Sequence, residues 1–361
     1  MCALFASELR SRRDPASVTR LNPAGGTVLR LNGFAPGQPS VFAALPPARP
    51  APAATVVGVF RPTDMLSLVP GVAPGREQQA EEVDGFFGAD SMVRRLHRER
   101  LVLFSGVRAL LMQACDPLAV VGFRRHSIIF DDPQARLQRT DERMSRIYFG
   151  SRGEAEETGR VVQAMHRRVR GRTPSDYGPI PRGTPYDASD PELGLWVLAT
   201  LADSAVLYYQ RIFGALAAEE RERYWSEYRR VGELFGLPPD SMPGTYEGLR
   251  EYIAGRLTDG SLWISDERRE QAVRMILEPP FTGLLRTAAI PLTETIRLIS
   301  VGLLPPEIRR LFGFSWDPAR EALLRSALLQ LRYGSRFWLD AVRLHPAARV
   351  PPGERYGALA E

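Results

Sequence analysis

His166, one of four histidines in the chain, falls on the apolar stripe of a helix otherwise studded with arginine. Between Glu154 and Gly171, Val162, Met165, His166 and Val169 recur at i, i+3, i+4 and i+7, so they share one face. Arg160, Arg167, Arg168 and Arg170 take the other faces. An imidazole turned towards a helical core has two explanations. It is a structural histidine satisfied by its neighbours, or its nitrogen is kept for a metal or a haem iron. Spacing alone puts the structural explanation first.

The preceding helix, Pro133–Phe149, carries a second set of chemically useful groups. Arg136 and Thr140 lie four apart and share a face with Met144 and Ile147, with Arg139 beside them. An arginine and a hydroxyl facing an apolar interior suit a buried anion or an iron-bound oxygen species. The same pair also suits a surface arginine next to a helix-compatible threonine. His126 offers another imidazole, or a cap within the Ile128–Asp132 turn. His97 sits among Arg95, Arg98 and Arg100 and is expected to face solvent, and His345, at a proline-rich tail, to take no part. Cys115 reads as a buried, inert thiol.

Other chemistries lack their signatures. There is no Gly-rich phosphate loop, His-Glu-x-x-His helix, Gly-x-Ser-x-Gly elbow or dinucleotide fingerprint. A di-iron carboxylate bundle needs Glu-x-x-His pairs, but Gln163 and Phe123 stand three residues before His166 and His126.

These groups need a scaffold, and composition bounds it. The 361 residues, 44% apolar and 25% charged, suit a globular protein of one large domain or two ordinary ones. All 47 basic residues are arginine, spread along the chain and interleaved with acids. Such charges make solvated helix faces, so a nucleic-acid groove is not expected. With only Cys2 and Cys115, neither a disulfide framework nor a zinc knuckle is possible, which points to a reducing, cytoplasmic setting. Ser11-Arg12-Arg13 is followed by charge and proline rather than an apolar signal region. No stretch reaches the ~18 uninterrupted apolar residues of a membrane span.

Residues 1–80 read as an irregular Pro/Ala-rich arm, residues 81–345 as an all-helical domain and residues 346–361 as a tail. Within the domain, Asp132-Pro133, Asp190-Pro191 and Asp317-Pro318 open helices: aspartate caps free N–H groups, and proline gives up a donor that had no partner. Gly150, Gly171, Gly214 and Gly236 are expected to close helices in a left-handed conformation. The resulting segments run approximately 91–114, 118–130, 133–149, 153–170, 190–213, 217–235, 245–259, 265–277, 281–302 and 318–343. The expected fold class is all-α, a large single-domain bundle of about ten helices. Leu101–Ala114 and Leu193–Tyr209, apolar nearly all round, are its central helices. No sheet is expected, and residues 172–189 read as a long loop walling a site.

Several short runs then occur in a telling order. They are Gly106-Val-Arg-Ala-Leu-Leu-Met-Gln-Ala-Cys-Asp-Pro117, His126-Ser127, Asp132-Pro133, Arg136 with Thr140, and Tyr148-Phe-Gly150. His166-Arg-Arg-Val-Arg-Gly171, Tyr186-Asp-Ala-x-Asp-Pro-Glu-Leu193, Trp196-Val and Asp203-Ser204 follow. Tyr224-Trp-x-Glu-Tyr-x-Arg-Val-Gly232 and Gly302-Leu-Leu-Pro-Pro306 complete the series. From about Phe86 to Trp316 the chain resembles the MpaB/latex-clearing oxygenase family.

That resemblance implies a b-type haem held by one axial histidine, with dioxygen as co-substrate. His166 matches the axial ligand, and Arg136 and Thr140 match the family's haem-side arginine and threonine. Arg139 falls where the rubber-cleaving branch carries an iron-capping lysine; arginine stays protonated and does not readily ligate iron. Two departures stand out: Cys115-Asp116 replaces Ala-His before Pro117, and Leu198 replaces a frequent histidine. On this reading the second histidine His126, with Arg136, Arg139 and Thr140, polarises oxygen or anchors propionates. The expected function is a haem b-dependent oxygenase or oxidase acting on a small hydrophobic substrate with dioxygen or peroxide, in secondary metabolism. The alternative is a non-catalytic haem- or lipid-binding helical protein.

Overall fold

A computed structural model of the chain describes residues 85–126, 133–278 and 283–349, without the side chains of 123–126, 133–138 and 283–288. The expected N-terminal arm and the last residues of the tail lie outside the described residues. The chain first forms α1 (Met92–His97), α2 (Arg100–Leu103), α3 (Ser105–Gln113), α4 (Pro117–His126), α5 (Pro133–Phe149) and α6 (Arg152–His166). A short antiparallel ribbon, β1 (Arg170–Arg172) with β2 (Pro185–Asp187), leads into α7 (Pro191–Ile212) and α8 (Ala218–Leu234). The remainder is α9 (Tyr246–Thr258), α10 (Asp266–Leu277), α11 (Gly283–Gly302), α12 (Pro306–Phe312), α13 (Pro318–Gly334) and α14 (Asp340–Arg343). The fold is all-α. Among the described residues no helix is long and apolar enough to cross a membrane.

The centre is α7 against α3, as their all-round apolar character requires. A buried polar network holds the pair in register. Arg108 of α3 forms an ion pair with Asp203 at 2.9 Å and donates to Ser204 Oγ at 2.6 Å and the Leu303 carbonyl at 2.8 Å. The second oxygen of Asp203 meets Arg250 of α9. Gln113 donates to Thr200 Oγ1 at 2.9 Å one face further along.

Helix starts follow the sequence. Asp190 and Asp317 each accept a backbone N–H of the first turn, at 2.9 Å from Glu192 and 2.9 Å from Arg320. Asp317→Ala is expected to cost about 1 kcal/mol of unfolding free energy, read as a lower urea midpoint with unchanged slope.

Several expectations are corrected. The segment 91–114 is three helices: the chain turns at Glu99 between α1 and α2, burying that carboxylate against Arg343 through two hydrogen bonds of 2.9 and 2.8 Å, and breaks again at Phe104 between α2 and α3. The loop 172–189 is tied by the ribbon, with Thr173 N–H donating to the Thr184 carbonyl at 2.9 Å. The segment 318–343 divides into α13 and α14, and α12 was not anticipated. Gly214 and Gly236 do take positive φ, 127° and 92°, but Gly150 and Gly171 do not. Gly171 instead lies in β1, where a Cβ would come within 2.7 Å of the Tyr186 hydroxyl. His345 is no loose tail residue: it is buried, its Nε2 lies 3.1 Å from Asp141, and its ring stacks on Phe149. It pins the end of the described chain to α5.

Candidate functional site

Helix α6 begins with a reciprocal cap: Ser151 accepts from the Glu154 N–H, and the Glu154 carboxylate accepts from the Ser151 N–H at 2.7 Å. Its apolar stripe is buried as the spacing requires, with Val162, Met165 and Val169 all inside and Arg160, Arg167, Arg168 and Arg170 exposed. The helix crosses the end of α8 at close range, since a Cβ on Gly159 would stand 2.6 Å from the Leu234 carbonyl oxygen. Gln163 donates to that same carbonyl at 3.0 Å. Helix α8 stops there because Gly236 takes a left-handed conformation that lets the Leu237 N–H reach back to the Gly232 carbonyl at 3.0 Å. His166 is thus fixed as the last residue of a helix anchored at its middle.

His166 lines a cavity of about 250 Å³, close to the ~300 Å³ lower end of small-ligand sites. Helix α7 supplies Leu193, Val197 and Leu201, spaced four apart along one face, with Leu198 beside them. Leu118 and Ala119 of α4, Tyr186 of β2 and Tyr228 and Val231 of α8 close the remaining sides. His166 is half-buried, and its ring nitrogens have no hydrogen-bond partner among the described residues. Burial pulls its pKa down to about 4, opposed by the nearby Asp187 charge, so the imidazole is neutral at ordinary pH. The imidazole is thus neutral, without a hydrogen-bond partner among the described residues, and set in a mainly apolar wall. This donor chemistry fits ligation of a haem by one histidine.

The other candidate residues are placed differently. Thr140 is buried on the α5 face that also buries Met144 and Ile147, and Arg139 is half-buried beside it. Helix α5 packs on α6, but neither residue lines this cavity. Arg136 lies in α5 and His126 ends α4, with side chains outside the described residues. Cys115 is fully buried, its thiol donates to the Leu111 carbonyl at 3.6 Å, and burial pushes its pKa up, in keeping with an inert thiol.

The two departures from the family pattern have distinct consequences. Asp116 caps α4 by accepting the Ala119 N–H at 2.9 Å and pairs with the largely buried Arg256 at 2.9 Å. It has become a structural anchor. Leu198, in contrast, lies on the cavity wall, so an apolar side chain stands where an imidazole would reach the chamber.

His97 overturns its expectation. Its ring stacks on Tyr148 at 3.9 Å, and its Nε2 lies 3.1 Å from the Tyr224 hydroxyl. Burial, with His345 adding, lowers its pKa to about 3. The unfolded chain, with an ordinary histidine pKa near ~6.5, therefore binds the proton first. This contribution to stability is full above that pH and drains away as pH falls towards 3. Urea titrations across this range should show a steeper acid loss for the parent protein than for His97→Gln. Equal slopes would refute the assignment.

Sequence reading missed Tyr228 as a wall residue. It stood in the Tyr224-Trp-x-Glu-Tyr run, and only the crossing of α8 by α6 shows which side it faces.

A family model described as ER-bound oxygenase mpaB/B'/Rubber oxygenase, catalytic domain, matches residues 93–333. Uncharacterized proteins of Mycobacterium bovis and Mycobacterium tuberculosis are each 26% identical over 224 residues, spanning 60% of this chain and 82% of their own length. No solved structure matches the chain.

Proposed function

The chain belongs to the mpaB/rubber oxygenase catalytic-domain family, and from that premise we propose a haem b-dependent oxygenase that acts with dioxygen on a small hydrophobic substrate. The observation that carries this reading is His166, neutral and without a hydrogen-bond partner among the described residues, on the wall of an apolar cavity. His166 is the residue that would hold the group. Bound haem would supply the redox-active iron at which dioxygen is activated.

The chain's own residues do the rest. The α6–α8 crossing holds the imidazole in place, and burial keeps its lone pair free of a proton. Leu193, Val197, Leu198 and Leu201 exclude water and select an apolar molecule. Leu198 offers no proton, so a reaction needing acid catalysis from that wall is disfavoured. By the resemblance, Arg136, Arg139, Thr140 and His126 would anchor the haem's carboxylates or polarise oxygen, although Arg139 and Thr140 do not line the cavity beside His166.

Titrating the purified protein with hemin tests the reading. A Soret band that saturates at one equivalent is expected, together with dioxygen uptake that depends on an added hydrophobic substrate. A spectrum that remains that of free hemin would overturn the haem assignment. A saturating band with no uptake across alkenes, terpenes and fatty acids would overturn the oxygenase assignment.

A further inference from the structure

Three phenols and an imidazole form a continuous aromatic cluster that begins at the cavity wall and runs into the core. Tyr228 lines the cavity. Tyr224 stands four residues before it on α8, so the two share a face, and their rings stack with centroids 5.3 Å apart. His97 of α1 lies 3.9 Å from the ring of Tyr148 and 5.9 Å from that of Tyr228. The polar atoms pair with one another: Tyr224 Oη with His97 Nε2 at 3.1 Å, and the Tyr148 and Tyr228 hydroxyls at 3.1 Å.

Packing alone does not call for this composition. Tyr224 and Tyr228 are fully buried, where phenylalanine would fill the space without taking hydroxyls out of water. What phenol adds is an oxidisable O–H bond. Burial keeps these phenols protonated, lifting Tyr228 to about 12 and Tyr148 and Tyr224 well above the usual value. It also keeps His97 neutral, a weaker base than a free imidazole but far more basic than an oxidised phenol, so its lone pair can still take the proton that oxidation releases. A protonated phenol hydrogen-bonded to a neutral base can lose an electron and a proton together, avoiding a buried phenol cation.

We propose that Tyr224 and His97 form a proton-coupled redox pair connected to the cavity through the ring of Tyr228. One electron passes from Tyr224 through Tyr228 to a one-electron oxidant in the cavity, of the class that peroxide-oxidised haem provides. The Tyr224 O–H bond breaks, and its proton forms an N–H bond at His97 Nε2, in the tautomer protonated at Nδ1. The products are the oxidant reduced by one electron, a neutral Tyr224 phenoxyl radical and a His97 imidazolium. The pair gives an oxidising equivalent that finds no substrate a reversible destination. The identity of the natural oxidant rests on the haem reading; the pair itself does not.

The test is freeze-quench electron paramagnetic resonance of hemin-loaded protein mixed with one equivalent of hydrogen peroxide, the Soret band recorded first. A phenoxyl signal is expected in the parent, absent in Tyr224→Phe and retained in Tyr333→Phe, which alters an exposed ring. Its formation should slow several-fold in His97→Gln and in heavy water, with circular dichroism confirming folded variants. A normal Soret band with no radical, or an undiminished signal in Tyr224→Phe, overturns the proposal. If no Soret band forms, the haem reading fails separately, and photo-oxidised ruthenium tris-bipyridine then serves as oxidant. A Tyr224-dependent radical under that oxidant supports the pair, and its absence overturns it.

Discussion

His166→Ala is expected to abolish the Soret band that one equivalent of hemin gives the parent protein, while leaving the helical circular dichroism unchanged. The two halves of this outcome have separate causes. The band depends on a nitrogen donor, and no other histidine in the described side chains lines the cavity. His97 is engaged with Tyr224 and His345 with Asp141. The fold survives because the imidazole makes no hydrogen bond among the described residues and sits at the end of α6, beyond the Gly159 and Gln163 contacts that anchor the helix. The cavity left by truncation should admit free imidazole, so millimolar imidazole is expected to restore much of the band. Hemin binding with an unchanged spectrum and stoichiometry in His166→Ala would remove this residue from the ligand role.

The second large effect concerns stability. Arg108→Ala removes the partner of Asp203 from a site where both side chains are almost wholly enclosed, and it strands Ser204 and the Leu303 carbonyl as well. Breaking a buried ion pair from one side costs about 3–5 kcal/mol, because the remaining charge keeps its desolvation penalty. Arg250 still reaches Asp203 from a half-exposed position and softens the loss. A urea denaturation series should place Arg108→Ala well below the parent. The double variant Arg108→Leu with Asp203→Leu should be less destabilised than the sum of the single changes, since it leaves neither charge behind. A cost below ~1 kcal/mol for Arg108→Ala would mean that water reaches this network.

Local signals carried most of the helices into view. Asp190-Pro191 and Asp317-Pro318 do in the structure what their chemistry predicts, and Gly214 and Gly236 take the left-handed conformation assigned to them. The stripe around His166 was equally legible, because burial on one helix face leaves a fixed period in the sequence. What failed was set by partners far along the chain. The break between α1 and α2 belongs to Glu99 meeting Arg343, and the burial of His345 belongs to Asp141 and Phe149. His97 looked solvent-facing because its sequence neighbours are arginines, yet its surroundings come from α5 and α8. In the sequence Leu198 marks only a lost histidine, and the packing of α7 gives that loss a location on the cavity wall.

The crossing of α6 over the end of α8 has a consequence for how such a protein can change over generations. The histidine is held by the α6–α8 pair, whereas Leu193, Val197, Leu198 and Leu201 all come from α7. Exchanging a leucine for valine, phenylalanine or histidine on α7 alters the room and polarity available to a guest without touching the Gly159 or Gln163 contacts. Mutation along one helix face can therefore change which guest the cavity admits while leaving the proposed haem ligand on another face in place.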